Sequence, residues 1–347
     1  MKDLEQLLKE HYANFSGMEI QDAVKFLYQH YMGPGHLIVD QEAAAVRLQE
    51  EWDTVRPDET APPSHSLGNG LCRLNLNLCK ASRLSTLTVL KIFLLTCRQV
   101  SPNFSGLKQS LELVHTLPFP KEQADAYLSQ YRAAGCPMVS HSPQFRQLYS
   151  PAYRVVSEYY VNIMPVLCAI DQAMDNVPDL RVAIDGPCAS GKSTLAAALS
   201  EIYGCPVIHM DDFFLRPEQR WPERLALPGE NVDHERFSEQ VLDPLLEGRP
   251  VQYRPWRCHE GAFGPEVTIA PAPLTVVEGC YCLRPDLRDA FQLRIWVEAS
   301  GDTRRQRLLD RGGPECLASF EQHWIPLENH YFDHFQVKQC CHVHLLA

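Results

Sequence analysis

Long apolar runs are missing from this sequence. No window reaches the roughly 20 residues that a membrane-crossing helix needs, so no membrane partner is expected. The N-terminal stretch MKDLEQLLKEHY is charged and amphipathic, without the apolar core of a signal peptide. Positive charge is also in deficit: 32 Lys and Arg stand against 43 Asp and Glu, a net charge of −11. That balance argues against a broad basic surface for duplex nucleic acid. Cysteine is plentiful at thirteen, but the count is odd and paired spacing is absent. Reduced thiols in a cytoplasmic setting are therefore expected. At the C-terminus, alternation along a strand would put Cys341 on one face and His342 and His344 on the other. Cys280 and Cys282, like Cys341, read as buried thiols rather than metal ligands.

What remains is ordinary globular composition, 45% apolar and 22% charged, in a chain long enough for two domains. Residues 1–175 read as all-helical. Leucines at 4, 7 and 8 share one helical face, and Val24, Leu27, Tyr28 and Tyr31 repeat the pattern up to the Gly33-Pro-Gly35 break. Gln41 to Trp52 reads as a third helix, Leu84 to Val100 as a central apolar one, and Tyr153 to Met174 as the last. This half holds no repeat and no familiar catalytic motif. The loops carrying His36, and Leu67-Gly-Asn-Gly70 with Arg73, read as turn chemistry with a surface charge. His141, Arg146, Tyr149 and Arg154 have the composition of an anion site and equally that of an exposed helix–loop junction.

From residue 176 the pattern changes to an α/β domain with a parallel sheet and helices on both faces. Its centre is RVAIDGPCASGKSTL, Arg181 to Leu195. A short apolar strand leads into Gly186, four residues, Gly191, Lys192 and Ser193, and a helix-forming run follows. Strand, glycine loop and helix N-terminus make a nest of backbone N–H groups for phosphates. The candidate ATP contacts are Gly186, Pro187, Cys188, Ala189, Ser190, Gly191, Lys192, Ser193 and Thr194. Lys192 is placed to reach the β- and γ-phosphates and the Ser193 hydroxyl to ligate Mg²⁺.

Further carboxylates sit where strands end. Pro206 to Met210 leads into Asp211-Asp212, one fit to take the proton of an acceptor hydroxyl or help hold Mg²⁺, the other to cap a helix. Leu274 to Glu278 is an apolar strand ending in a carboxylate, which suits Glu278 to Mg²⁺. Asp233 can bind a substrate hydroxyl or cap the helix after it, and residues 250–273 read as a hairpin with an aromatic and basic surface around Tyr253. Arg304, Arg307 and Arg311 share one helical face, which suits a lid over phosphoryl oxygens.

From Arg181 to the C-terminus the chain resembles the uridine kinase branch of P-loop small-molecule kinases. The resemblance rests on GPCASGKS, MDDFF, NVDHERFSEQVLDPLLEG, VVEGCY and DTRRQRLLDR, in that order. It implies that Asp211 is the base, that Asp233 and Tyr253 contact the acceptor, that Ser193 and Glu278 serve Mg²⁺, and that Arg304 and Arg307 are lid arginines. The family's base-contacting histidine has no in-register match: His259 lies one residue away. The expected activity is ATP-dependent phosphoryl transfer to a hydroxyl of a small molecule, a nucleoside among the candidates. The rival is a P-loop NTPase switch acting on a partner of the helical half.

Overall fold

The computed structural model describes residues 3–34 and 41–347, so the loop position His36 lies outside the described residues. The chain divides into two compact units, Met1–Met164 and Pro165–Ala347.

The first unit has nine α-helices among the described residues: α1 (Leu4–Asn14), α2 (Ile20–Met32), α3 (Gln41–Thr54), α4 (Leu76–Ala81), α5 (Thr86–Gln99), α6 (Phe104–Ser110), α7 (Lys121–Ala133), α8 (Pro143–Tyr149) and α9 (Glu158–Asn162). It is not all-α. Strands β1 (Ser64–Gly68), β2 (Leu71–Asn75) and β3 (Tyr153–Ser157) form an antiparallel sheet. The Leu67-Gly-Asn-Gly70 segment is its hairpin turn, with Gly68, Asn69 and Gly70 all at positive φ. Strand β3 replaces the start of the helix expected from Tyr153 to Met174. The sheet supplies partners for the backbone there, Ser157 N–H donates to Thr96 Oγ1 of α5 at 2.9 Å, and only then does the Ser157 side chain cap α9. Arg73, expected on the surface, is 3% exposed because β2 is the central strand and its side chain lies between aromatic rings. Leu8, Phe26, Leu27, Leu67, Leu107, Leu111 and Phe145 lead the core of this unit.

The second unit takes in almost all of helix α10 (Met164–Met174), whose Val166, Leu167 and Ile170 are buried. Its sheet follows from β4 (Leu180–Asp185), β5 (Val207–His209), β10 (Leu274–Glu278), β11 (Leu293–Glu298) and β12 (Val343–Leu346). These run parallel in the order β12-β11-β4-β10-β5. All five residues of β10 are buried, which requires cover on both faces of the sheet, as continuous apolar strands in parallel sheets have. Helix α11 (Lys192–Tyr203) packs on β4, β5 and β10.

Between β5 and β10 lie the short helices α12 (Pro222–Leu225), α13 (His234–Phe237) and α14 (Asp243–Leu246), then β6 (Val251–Tyr253), β7 (Trp256–Arg257), β8 (Ala262–Phe263) and β9 (Val267–Ile269). Strands β6–β9 and β7–β8 pair as two small antiparallel ladders, the hairpin expected over 250–273. Helices α15 (Gly301–Ser319), kinked at Gly312 and Gly313, and α16 (Ile325–Phe335) complete the unit. Among the described residues, no helix is long and apolar enough to cross a membrane.

Candidate active site

Parallel pairing brings the C-terminal ends of β4, β10 and β5 side by side, with Glu278 in register with Ile184 on one side and His209 on the other. Asp185, Glu278, His209 and the Asp211-Asp212 pair therefore share the edge where open α/β sheets bind ligands.

From β4 the chain enters the glycine loop and then α11. Gly186 has φ +145, and a Cβ there would lie 2.0 Å from the Val297 carbonyl oxygen. No other residue fits that approach. Gly191, at φ +107, is the N-cap of α11. Lys192 is 8% exposed, and its Nζ donates to the carbonyls of Gly186 (2.8 Å) and Pro187 (3.0 Å). Burial disfavours its charge, but Glu328, Asp185 and Asp211 are among the groups that outweigh this and raise its pKa. The Ser190 hydroxyl is buried and, among the described residues, has no hydrogen-bond partner, a spare donor inside the loop. Ser193 and Thr194 are exposed at the first turn of α11.

Across the sheet edge, Ser193 Oγ donates to Glu278 Oε1 at 3.1 Å, and His209 Nδ1 lies 2.6 Å from the same oxygen. The carboxylate raises the His209 pKa through that bond. Asp211 is open to solvent, yet the surrounding protein desolvates it first and Glu278 repels it second, so its pKa is raised despite Lys192 and His209. Asp212 is also raised, mainly by desolvation, and accepts a hydrogen bond from Tyr253 at 3.0 Å. Tyr253 thus meets Asp212 rather than Asp233. Asp233 is 4% exposed, caps α13, and accepts from Gln219 Nε2 at 2.8 Å, with Arg236 at 3.7 Å and Arg216 at 4.0 Å. Arg236 also stacks 4.2 Å from the Phe213 ring centroid.

On α15, Arg304 Nε donates to the Cys188 carbonyl at 2.8 Å and Arg307 Nη1 to the Ala189 carbonyl at 3.1 Å. Both guanidiniums therefore sit against the loop. Three further groups join the site that no motif in the sequence marks. Glu328 of α16 is buried, accepts from Cys188 N–H at 2.9 Å and lies 4.0 Å from Arg304. His209 carried a signal in being the last residue of the strand before Asp211. Asp185 is fully buried, accepts from Gly186 N–H, Leu283 N–H and Tyr331 Oη (2.7, 3.1 and 2.8 Å), and burial raises its pKa to about 6.

Ser193 and Glu278 offer hard oxygens, a hydroxyl and a carboxylate, which is what Mg²⁺ takes, with His209 against the same carboxylate oxygen. The loop offers backbone N–H groups, a buried hydroxyl and an ammonium, which suits a polyphosphate.

No family model matches the chain. It is 26% identical over 141 residues to a deoxyguanosine kinase of Bacillus subtilis, covering 38% of this chain and 67% of that protein. Among solved structures, a possible uridine kinase from Bacillus stearothermophilus is 20% identical with a TM-score of 0.42, covering 54% of this chain and 99% of that one. A proposed fructose transport system kinase from Silicibacter is 21% identical with a TM-score of 0.38, covering 49% and 89%. Each of these three proteins bears a kinase's name, and each likeness covers only part of this chain.

Proposed function

We propose that this chain is an ATP-dependent kinase that uses Mg²⁺ to move the γ-phosphoryl group onto a hydroxyl of a small molecule, with nucleosides the first acceptors to try. One observation carries the reading: a glycine loop at a helix N-terminus whose Ser193 is joined to the strand-end Glu278. A hydrolytic switch needs no acceptor base, and the position of Asp211 just past the end of β5 supports reading it as one. The likeness to a deoxyguanosine kinase supports the nucleoside class.

In this mechanism the loop N–H groups and Lys192 hold the β- and γ-phosphates. Lys192 exchanges its carbonyl partners in the loop for phosphate oxygens. Ser193 and Glu278 would hold Mg²⁺, which would supply charge neutralisation to the phosphates. Asp211 accepts the acceptor's proton as the new O–P bond forms and the bond to the β-phosphate breaks. Its raised pKa makes it a better base for that proton. Asp233 and Tyr253 orient the acceptor, and Arg304 and Arg307 steady the charge that spreads over the transferring oxygens. Residues 176–347 are the part to which this activity is assigned.

The experiment is ATP consumption with and without a panel of nucleosides and other small alcohols. Turnover that requires one acceptor supports the kinase; turnover indifferent to every acceptor supports the switch instead.

A further inference from the structure

A cleft of about 550 Å³ opens in the first unit, walled by α2, α3, α8 and β3. Four cations line it: Lys25, Arg47, Arg146 and Arg154. Among the described residues, the one carboxylate on its wall, Glu51, is ion-paired with Arg154. Asp22 lies nearby but is fully buried and already spent. It meets His141 Nδ1 at 2.8 Å and accepts from the Ser142 N–H (3.0 Å) and hydroxyl (2.7 Å). Among the described residues, no side chain is bonded to Arg47 or Arg146, and the wall carries more positive than negative charge.

A fifth cation stands behind it. The Arg73 guanidinium lies 4.8 Å from the Tyr153 ring centroid and 5.7 Å from that of Phe26. Its Nε donates to Gln29 Oε1 at 2.8 Å and its Nη1 meets His11 Nε2 at 2.9 Å. Among the described residues its Nη2 has no partner and no carboxylate bonds to it. A buried cation without a bonded counter-ion is expensive to keep. Arg73 also lines a chamber of about 120 Å³ that shares Ser150, Pro151 and Tyr153 with the cleft. Tyr153, the shared wall, is fixed: its hydroxyl meets His141 Nε2 at 2.7 Å and accepts from Gln29 Nε2 at 3.3 Å.

The neighbouring groups register the field. Burial first, then Arg73 and Arg146, bring the Lys25 ammonium down to about 8 against the pull of Asp22. Burial also lowers His141 to about 4; the Asp22 hydrogen bond opposes this, and Arg73 and Lys25 add to it. His65 falls for the same two reasons, burial and Arg73.

We propose that this cleft is a second ligand site, which binds inorganic phosphate or a small phosphomonoester through Lys25, Arg47, Arg146 and Arg154. A tetrahedral dianion brings two charges and several acceptor oxygens to guanidinium forks, where a lone carboxylate brings one charge. The cleft has the volume of a small-molecule site, and the chain's net charge of −11 offers no wider basic field for a polymer. The site belongs wholly to the first unit and does not rest on the kinase reading.

The test is calorimetric titration of the full chain with inorganic phosphate, glycerol 3-phosphate and citrate. It compares the wild type, Lys192→Ala, Arg47→Gln/Arg146→Gln and Lys25→Gln. Arg47 and Arg146 are exposed, so the double variant keeps its fold, checked by circular dichroism, and Lys25→Gln is an independent second probe. Phosphate or glycerol 3-phosphate binding that survives Lys192→Ala and weakens at least tenfold in both cleft variants is the expected result. The tighter of the two ligands then tells ester from free phosphate. Binding lost in Lys192→Ala but unchanged in the cleft variants overturns the proposal, as does binding of citrate alone or of none of the three.

Discussion

Ser193 and Glu278, 85 residues apart in the chain, are joined by a 3.1 Å hydrogen bond that ties the first turn of α11 to the end of β10. His209 binds the same carboxylate oxygen from the next strand. Glu278→Gln keeps the shape and removes the charge. It should lower turnover by about two orders of magnitude, the scale of losing one charge-stabilising group, and should also lower the His209 pKa, read by NMR titration. Glu278 raises the folded-state pKa of His209, so the stability this pair adds is full below the unfolded value of 6.5. It is lost as pH rises through the folded value. The stability deficit of His209→Gln relative to wild type should therefore be larger at pH 6 than at pH 9.

Lys192→Ala removes a phosphate clamp from the loop rather than part of the apolar core. Turnover should fall by about two to three orders of magnitude, while the circular dichroism spectrum stays that of the wild type. Near-wild-type activity in the purified variant would contradict the phosphate-loop assignment.

The two adjacent aspartates are told apart by their neighbours: Asp212 is held by the Tyr253 hydroxyl, while Asp211 faces Lys192, His209 and Glu278. Asp211→Asn should abolish transfer and spare ATP binding, since a carboxamide cannot take the acceptor's proton. Asp212→Asn should do less. A dead Asp212 variant beside an active Asp211 variant would move the base by one residue.

Asp185 gives a stability prediction with a definite sign. Its folded-state pKa of about 6 stands above the ordinary 3.8, so the folded chain holds that proton more tightly. The stabilising contribution is full below about 3.8 and disappears as pH rises through about 6. Asp185→Asn should therefore gain stability relative to wild type between pH 4.5 and pH 7.5 in denaturant titrations. Tyr331→Phe, which takes one donor from the buried carboxylate, should cost about 1–2 kcal/mol at pH 7.5.

A division at 175/176 and one at 164/165 differ by α10, whose Leu167 carbonyl and Asp171 carboxylate accept from the Tyr203 hydroxyl at 3.3 and 2.9 Å. Fragments 165–347 and 176–347 should both be soluble, because the sheet is complete in each. The shorter should melt several degrees lower for want of the buried α10 residues. An insoluble 176–347 fragment would put the functional boundary before α10.

How far the sequence reaches is visible residue by residue. Gly186 to Ser193 could be read because the loop's chemistry is contiguous, and β10 ends where its apolar run meets Glu278. Strand β3 could not, because its partner β2 lies about 80 residues earlier and Tyr-Arg-Val-Val-Ser has no turn signal before the helical residues that follow. Glu328 contacts the loop from 140 residues away, and no local pattern announces it. Arg73 reads as a turn's surface charge in the sequence because its aromatic cover, Phe26 and Tyr153, comes from distant segments.

The fate of the γ-phosphate of labelled ATP tests the central claim most directly. With wild-type protein, Mg²⁺ and the nucleoside and alcohol panel, the label should leave ATP and arrive on an organic acceptor in equal amount, and Asp211→Asn should leave it on ATP. Label that accumulates only as inorganic phosphate, at the same rate with every acceptor and with none, would contradict the account.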